Sequence, residues 1–244
     1  ILSGLVGSEM CIRDRPMAGF GECLQRELLE PLPDLLQRYR QLLDLWPTPV
    51  TSALPVSLEL QGVRLEGWLS SLHQRADGGL LAVSAIPNGI GSTKTRKWHR
   101  LIKPWVNHLL ACASGYSLTT ALVASDDSLL LPPLEQEVAR QILGNLLQAW
   151  QAGMRQPLPV AIKTAFAWLG QSDPDKAAAA ARKTYDGDGQ NSEGERRQSP
   201  ALARQFADYN ALIADETFSG WAETLYRPLL NAPWRSALGE EAGA

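Results

Sequence analysis

The stretch Thr93–Gly115 reads T-K-T-R-K-W-H-R-L-I-K-P-W-V-N-H-L-L-A-C-A-S-G, and core-forming and ligand-facing signals coincide in it. Trp98, Leu101, Ile102, Trp105, Val106, Leu109, Leu110 and Ala113 recur at steps of three and four residues. That period predicts one long helix with an apolar stripe. Lys94, Arg96, Lys97, Arg100 and Lys103 cluster in its first half, and no Asp or Glu occurs from Gly78 to Ser125. An uncompensated basic face points to a polyanion, and these five cations are the candidate DNA-phosphate contacts; the competing reading is a solvated helix face balanced by acids elsewhere. Pro104 removes one helical hydrogen bond, so a kink is expected there.

Working outward, Gly21 to Trp46 carries leucines at helical spacing, divided by Pro31 and Pro33. Thr48 to Pro55 reads as a proline-punctuated linker. The run from Val56 to Leu72 alternates apolar and polar residues across Gln61-Gly62, which predicts a β-hairpin. Gly78-Gly79 turns the chain into a third strand, Leu80 to Ile86, and Tyr116 to Ala124 is the fourth. Beyond Pro132 the pattern is helical only. One helix carries Leu134, Val138, Ile142, Leu146 and Trp150, a short one Ala165, Phe166 and Leu169, one spans Asp173 to Lys183, and the last carries Phe218, Trp221, Ala222, Leu225 and Leu229. Asp186 to Pro200, rich in Gly and charge, reads as a mobile loop. The expected division is 1–16 as a leader foreign to the fold, 17–55 as helical lead-in and linker, 56–131 as an α/β core and 132–244 as a helical C-terminal subdomain.

Composition narrows the class. The 244 residues carry a net charge of −3 with 45% apolar residues, which is ordinary for a globular chain and does not by itself mark a nucleic-acid binder. Cys11, Cys23 and Cys112 lack metal-ligand spacing and fit a reducing, cytoplasmic setting. No run is long and apolar enough for a membrane span. His73, His99 and His108 have neither triad nor zinc context. N-G-I-G-S-T-K-T from Asn88 sits between a predicted strand and helix, yet Thr93 and Asn88 stand where a nucleotide-binding loop needs glycine. Its backbone N–H groups retain capacity for one phosphate. Asp186-Gly187-Asp188 begins like a calcium loop and then departs from it.

The order of strands, basic helix and strand is that of a restriction-endonuclease-like α+β core. Such cores place one acid on one strand and an acid-x-Lys pair on the next, to hold Mg²⁺ against a phosphate. Here Gly67-Trp68-Leu69-Ser70-Ser71 puts Ser70 at the first position, and Ser84-Ala85-Ile86 fills the second. The fold is expected without catalytic residues or metal ligands; Glu59, Glu66 and Asp77 are the acids an active alternative would need.

The run from Lys94 to Gly115 resembles the C-terminal region of the gamma chain of bacterial exodeoxyribonuclease V, the RecC family. P-L-P-V-A-I-K-T-A-F-A-W-L from Pro157, A-A-A-A-A-R-K-T-Y-D-G from Ala177 and F-S-G-W-A-E-T-L-Y-R-P-L-L from Phe218 extend the resemblance over Phe20 to Trp234. It implies a fragment of a much longer chain, with an inactivated nuclease-like domain docked on the beta chain (RecB) and working with the alpha chain (RecD) on double-stranded DNA ends and unwound strands, in break repair and recombination. ATP and Mg²⁺ would then be bound by those partners and not by this fragment. A further expectation concerns Trp221, Leu225, Tyr226, Leu229 and Trp234, which exceed what one narrow stripe buries and are the candidate partner interface. The third class to weigh is a pure protein-interaction domain without DNA contact.

Overall fold

The computed structural model describes residues 19–189 and 193–237, so the expected leader, 1–16, lies outside the described residues. Helices α1 (Gly19–Leu29) and α2 (Leu32–Leu45) meet at Pro31, as the prolines predict. They lead to β1 (Thr48–Pro49), the hairpin β2 (Leu54–Leu60) and β3 (Val63–Leu69), then β4 (Leu72–Gln74) and β5 (Leu80–Ala85). Helix α3 (Ile102–Ala113) carries the chain to β6 (Leu118–Val123) and β7 (Ser128–Leu131). Helices α4 (Gln136–Gly153), α5 (Ile162–Leu169), α6 (Pro174–Asp186), α7 (Gly194–Gln198), α8 (Pro200–Gln205), α9 (Tyr209–Ile213) and α10 (Phe218–Asn231) follow, and β8 (Arg235–Ser236) ends the described chain.

The main sheet has the order β1-β4-β5-β6-β7-β8, with β5 and β6 parallel and the remaining neighbours antiparallel. A helical crossover is what a parallel pair requires, and α3 supplies it. The hairpin forms a separate two-stranded sheet with Leu60 opposite Val63. Gln61 and Gly62, at φ 52° and 70°, give its two-residue turn the left-handed backbone that favours glycine. Val56, Leu58 and Leu69 point inward from the hairpin, while Arg64, Glu66 and Trp68 face solvent.

Three apolar clusters hold these layers. The largest joins the hairpin, α3, β6, β7 and α4 around Leu101, Trp105, Leu109, Leu122 and Leu143. A second lies under α2, on the opposite face of the sheet, through Leu35, Leu42, Trp46, Leu81, Ala121 and Val123. A third joins α5, α6, α9 and α10 around Ala165, Tyr185, Leu212 and Phe218. The fold is therefore mixed α+β with a central sheet and helices on both faces. The helices beyond residue 132 are not closed on themselves: α4 packs on the sheet layer, and β8 pairs with β7.

Several expectations are corrected. The long helix over 93–115 is two 3₁₀ turns, Thr93–Thr95 and Trp98–Arg100, followed by α3 from Ile102. Pro104 sits in the first turn of α3, where its nitrogen has no helical hydrogen bond to lose. Its ring would meet the carbonyl four residues back only if the helix began earlier, so it marks a start. The expected linker contributes β1, because Val50 N–H and the Thr48–Pro49 pair bind the β4 segment. The expected mobile loop at 186–200 contains α7, while residues 190–192 lie outside the described residues.

Candidate nucleic-acid interface

The glycine loop from Asn88 to Arg100 is seated on the turn Ala124–Asp127 between β6 and β7. Asp126 Oδ1 accepts from Ile90 N–H at 2.7 Å, and Oδ2 from Gly91 N–H at 2.8 Å. A side chain on Gly89 would collide with the Asp126 carboxylate, and one on Gly91 with the Thr95 carbonyl; Gly91 also has φ 77°. Glycine is required here by close approach and by backbone conformation together. Desolvation works against ionisation of Asp126, but hydrogen bonds from Gly91 and Ile90, with Lys97 nearby, outweigh it and hold the carboxyl below its ordinary pKa.

Asp127 binds the other side of the loop. Its Oδ2 lies 2.9 Å from Nη1 of Arg96, whose side chain is only 7% exposed. Arg100 donates to the Gly89 carbonyl. From below, Arg38 of α2 donates to the carbonyls of Ala124 and Ser125, both at 2.9 Å, so the turn itself is fixed. The acids that neutralise the basic run thus begin one residue past the acid-free window, brought close by β6 returning antiparallel into β7.

The five predicted cations consequently separate into two kinds. Arg96 and Arg100 are structural ties, whereas Lys97 and Lys103 are exposed. Lys94 lies in the first 3₁₀ turn. His99 packs beside α5, where desolvation, then Lys163 and Arg100, lowers its pKa against the opposing pull of Glu195. His108 is wholly buried: its Nδ1 lies 2.9 Å from Thr120 Oγ1, and burial pushes its pKa down to about 4. Cys112 packs against it, Sγ to Nε2 at 3.5 Å, and is raised in pKa by burial, as an inert core thiol would be.

Glu195 is the residue that sequence reasoning missed. It is 8% exposed, and its carboxylate accepts from Lys163 N–H (2.9 Å), Thr164 N–H (2.8 Å) and Thr164 Oγ (2.9 Å). These are the free N–H groups at the start of α5, where Ala161 stands at the cap position and has no side-chain oxygen to offer. Asp186, read as the start of a mobile loop, pairs with Arg196 at 3.2 Å. The signal available in sequence was an apolar helix start lacking any capping residue.

The proposed interface residues also divide. Leu229 is fully buried, Tyr226 meets the Phe166 ring at a tilt with centroids 4.9 Å apart and has its pKa pushed up to about 12 by burial, and Trp234 packs on the sheet cluster. These three pack against the domain's own core: α10 bridges the sheet cluster and the helical cluster and buries more than one stripe, and Trp234 follows it onto the sheet cluster. Trp221 and Leu225 remain half-exposed. The larger exposed apolar side chains are elsewhere: Phe20, Leu24 and Leu28 on α1, Trp68 on the hairpin, and Trp150 with Met154 at the end of α4.

Ser70 lies exposed between β3 and β4, and Ser84 is in β5 opposite Leu122. Of the alternative acids, Glu66 pairs with Arg64, Asp77 with Arg75, and Glu59 faces outward from the hairpin. Among the described residues no group of three or more His, Cys, Asp or Glu is placed to hold a metal ion, and no helix is long and apolar enough to cross a membrane.

Comparison with protein families matches residues 13–173 to the RecC C-terminal domain, well over half of the chain. The chain belongs to the RecC C-terminal domain family. A curated relative, the RecBCD enzyme subunit RecC of Escherichia coli (strain K12), is 27% identical over 164 residues, covering 64% of this chain. The chain spans only 13% of that relative's length. The family match takes in this RecC-type domain from the lead-in through α5, including the glycine loop and the Asp126–Asp127 turn; the segments quoted from Ala177 and Phe218 lie beyond it.

Proposed function

We propose that this domain is a non-catalytic, DNA-contacting scaffold of an exodeoxyribonuclease V-type helicase-nuclease, acting in double-strand break repair and recombination. Its core is a restriction-endonuclease-like sheet that has lost the metal-binding acids at Ser70 and Ser84. The mixed order around β4-β5-β6-β7, with α3 crossing between the parallel pair, supports that reading. In this reading a RecB-type chain and a RecD-type chain are the partners, and they carry the ATP and Mg²⁺ chemistry. Trp221 and Leu225 are the remaining α10 positions for docking.

The observation that carries the proposal is the loop clamped by Asp126 and Asp127. The clamp consumes Arg96 and Arg100 internally and leaves Lys97 and Lys103 facing solvent from a rigid base. Cations fixed in this way position a phosphate backbone without reading its sequence. Each true phosphate contact adds about one unit to the slope of log affinity against log salt. Lys97→Ala with Lys103→Ala should lower that slope by about two, weaken all sequences alike and leave the melting temperature unchanged. An unchanged slope in the assembled complex assigns the loop to protein docking instead. Cleavage of DNA by the purified chain with Mg²⁺, abolished by Glu66→Ala, would overturn the non-catalytic reading.

A further inference from the structure

A cleft of about 490 Å³ opens between the C-terminal half of α2 and the end of the sheet where β4 stops and β6 begins. It is remote in sequence from the glycine loop. Its polar lining comes from Gln41, Trp46, Arg75, Thr119, Arg235 and Ser236, and among the described residues no acidic side chain lines it. The Arg75 guanidinium lies over the Trp46 ring, 4.6 Å from its centroid, a contact that fixes the plane of the fork. Asp77 approaches Arg75 at Nε, 3.5 Å away. Arg235 is exposed and has no ion pair among the described residues.

Two guanidinium groups thus share one concavity with two hydroxyls and an amide; Asp77 engages Arg75 at Nε, and Arg235 has no counter-charge among the described residues. Trp46 is 5% exposed, and its indole N–H has no acceptor among the described residues, so the wall of the cleft holds a buried, unmatched donor. Among the described lining residues, the buried polar atom without a partner is this donor, and the charge without a counter-ion is the Arg235 cation. The volume falls in the range of small-ligand clefts and exceeds what a bare ion needs.

We propose that this cleft binds an oxyanion, phosphate or carboxylate, carried on a body the size of a nucleotide or a dipeptide, with Arg75 and Arg235 holding the charge and Trp46 forming the wall. Trp46 also provides the readout. The 244-residue chain is titrated at constant ionic strength with inorganic phosphate and, separately, with succinate, and indole fluorescence is followed. A saturable change with at least one anion is expected. It should be absent in Trp46→Phe and weakened about tenfold in Arg235→Gln; because Arg235 is exposed, that variant should keep the wild-type circular dichroism. Stronger binding of phosphate identifies a phosphate ester as the ligand, and stronger binding of succinate an acidic side chain. No saturable change with either anion, or binding unaltered in Arg235→Gln, overturns the proposal.

Discussion

The glycine loop and the start of α5 solve one problem in two ways. At each, backbone N–H groups point outward with no partner from their own segment, and at each a carboxylate from a distant part of the chain takes two of them. Asp126 reaches back 36 residues to Ile90, and Glu195 reaches back 32 to Lys163. Asp126 is exposed, whereas Glu195 is buried and also accepts from the buried Thr164 hydroxyl. Water can replace the first carboxylate and cannot reach the donors served by the second. The exposed clamp therefore shapes a surface, and the buried one ties α7 into the helical cluster.

The sharpest way to break this contrast is Glu195→Ala. It strands three donors, two backbone and one side-chain, and should cost about 3 to 5 kcal/mol in chemical denaturation. Glu195→Gln keeps one acceptor and should recover part of that loss. A loss below about 1 kcal/mol for the alanine variant would show that water enters the α5 start and that the two clamps are alike.

Acid separates the buried and exposed groups along another axis. The His108 pKa is depressed from 6.5 to about 4 in the folded chain, so the unfolded chain binds more protons between those values. Its contribution, on the order of 3 kcal/mol, is complete above about pH 6.5 and is lost progressively as pH falls toward 4. His108→Gln should flatten the stability profile over that window. Asp126, also depressed, contributes above its ordinary carboxyl value and fades only below it. Measured in the His108→Gln background, the residual acid sensitivity that Asp126→Asn removes should lie below about pH 4.

The smallest effect is expected of Asp126→Asn at neutral pH. The amide retains one acceptor at an exposed site, so the loss should be about 1 kcal/mol. Hydrogen exchange at Ile90 and Gly91 should quicken while the β6 amides stay protected. Uniform quickening across the sheet would mean that the clamp supports the fold and does not only shape the loop.

The regular parts of this architecture were legible because their signals are local. Gln61-Gly62 with alternating neighbours specified the hairpin, and Pro31 with Pro33 specified the break between α1 and α2. The acid-free window also located the candidate interface. Its internal geometry was hidden because Asp126 and Asp127 act through space, across a β-turn. The period over Trp98 to Leu101 was true to burial and false to helicity: Leu101 is in the core, but the chain reaches it through 3₁₀ turns closed by local hydrogen bonds, in a loop that Asp126 and Asp127 hold from a distance. The strands β1 and β8, two residues each, carry too little pattern to be read at all.

Those two short strands occupy both edges of the main sheet. Brief edges offer little template for pairing with another chain, which guards the sheet against stacking edge to edge. One of them arrives late. Leu129 of β7 finds its partner at Ser236, beyond every helix from α4 to α10, so a ribosome must complete all of those helices before that edge is sealed. Until then β7 is an open margin on an emerging chain, where pairing with a foreign strand is least opposed.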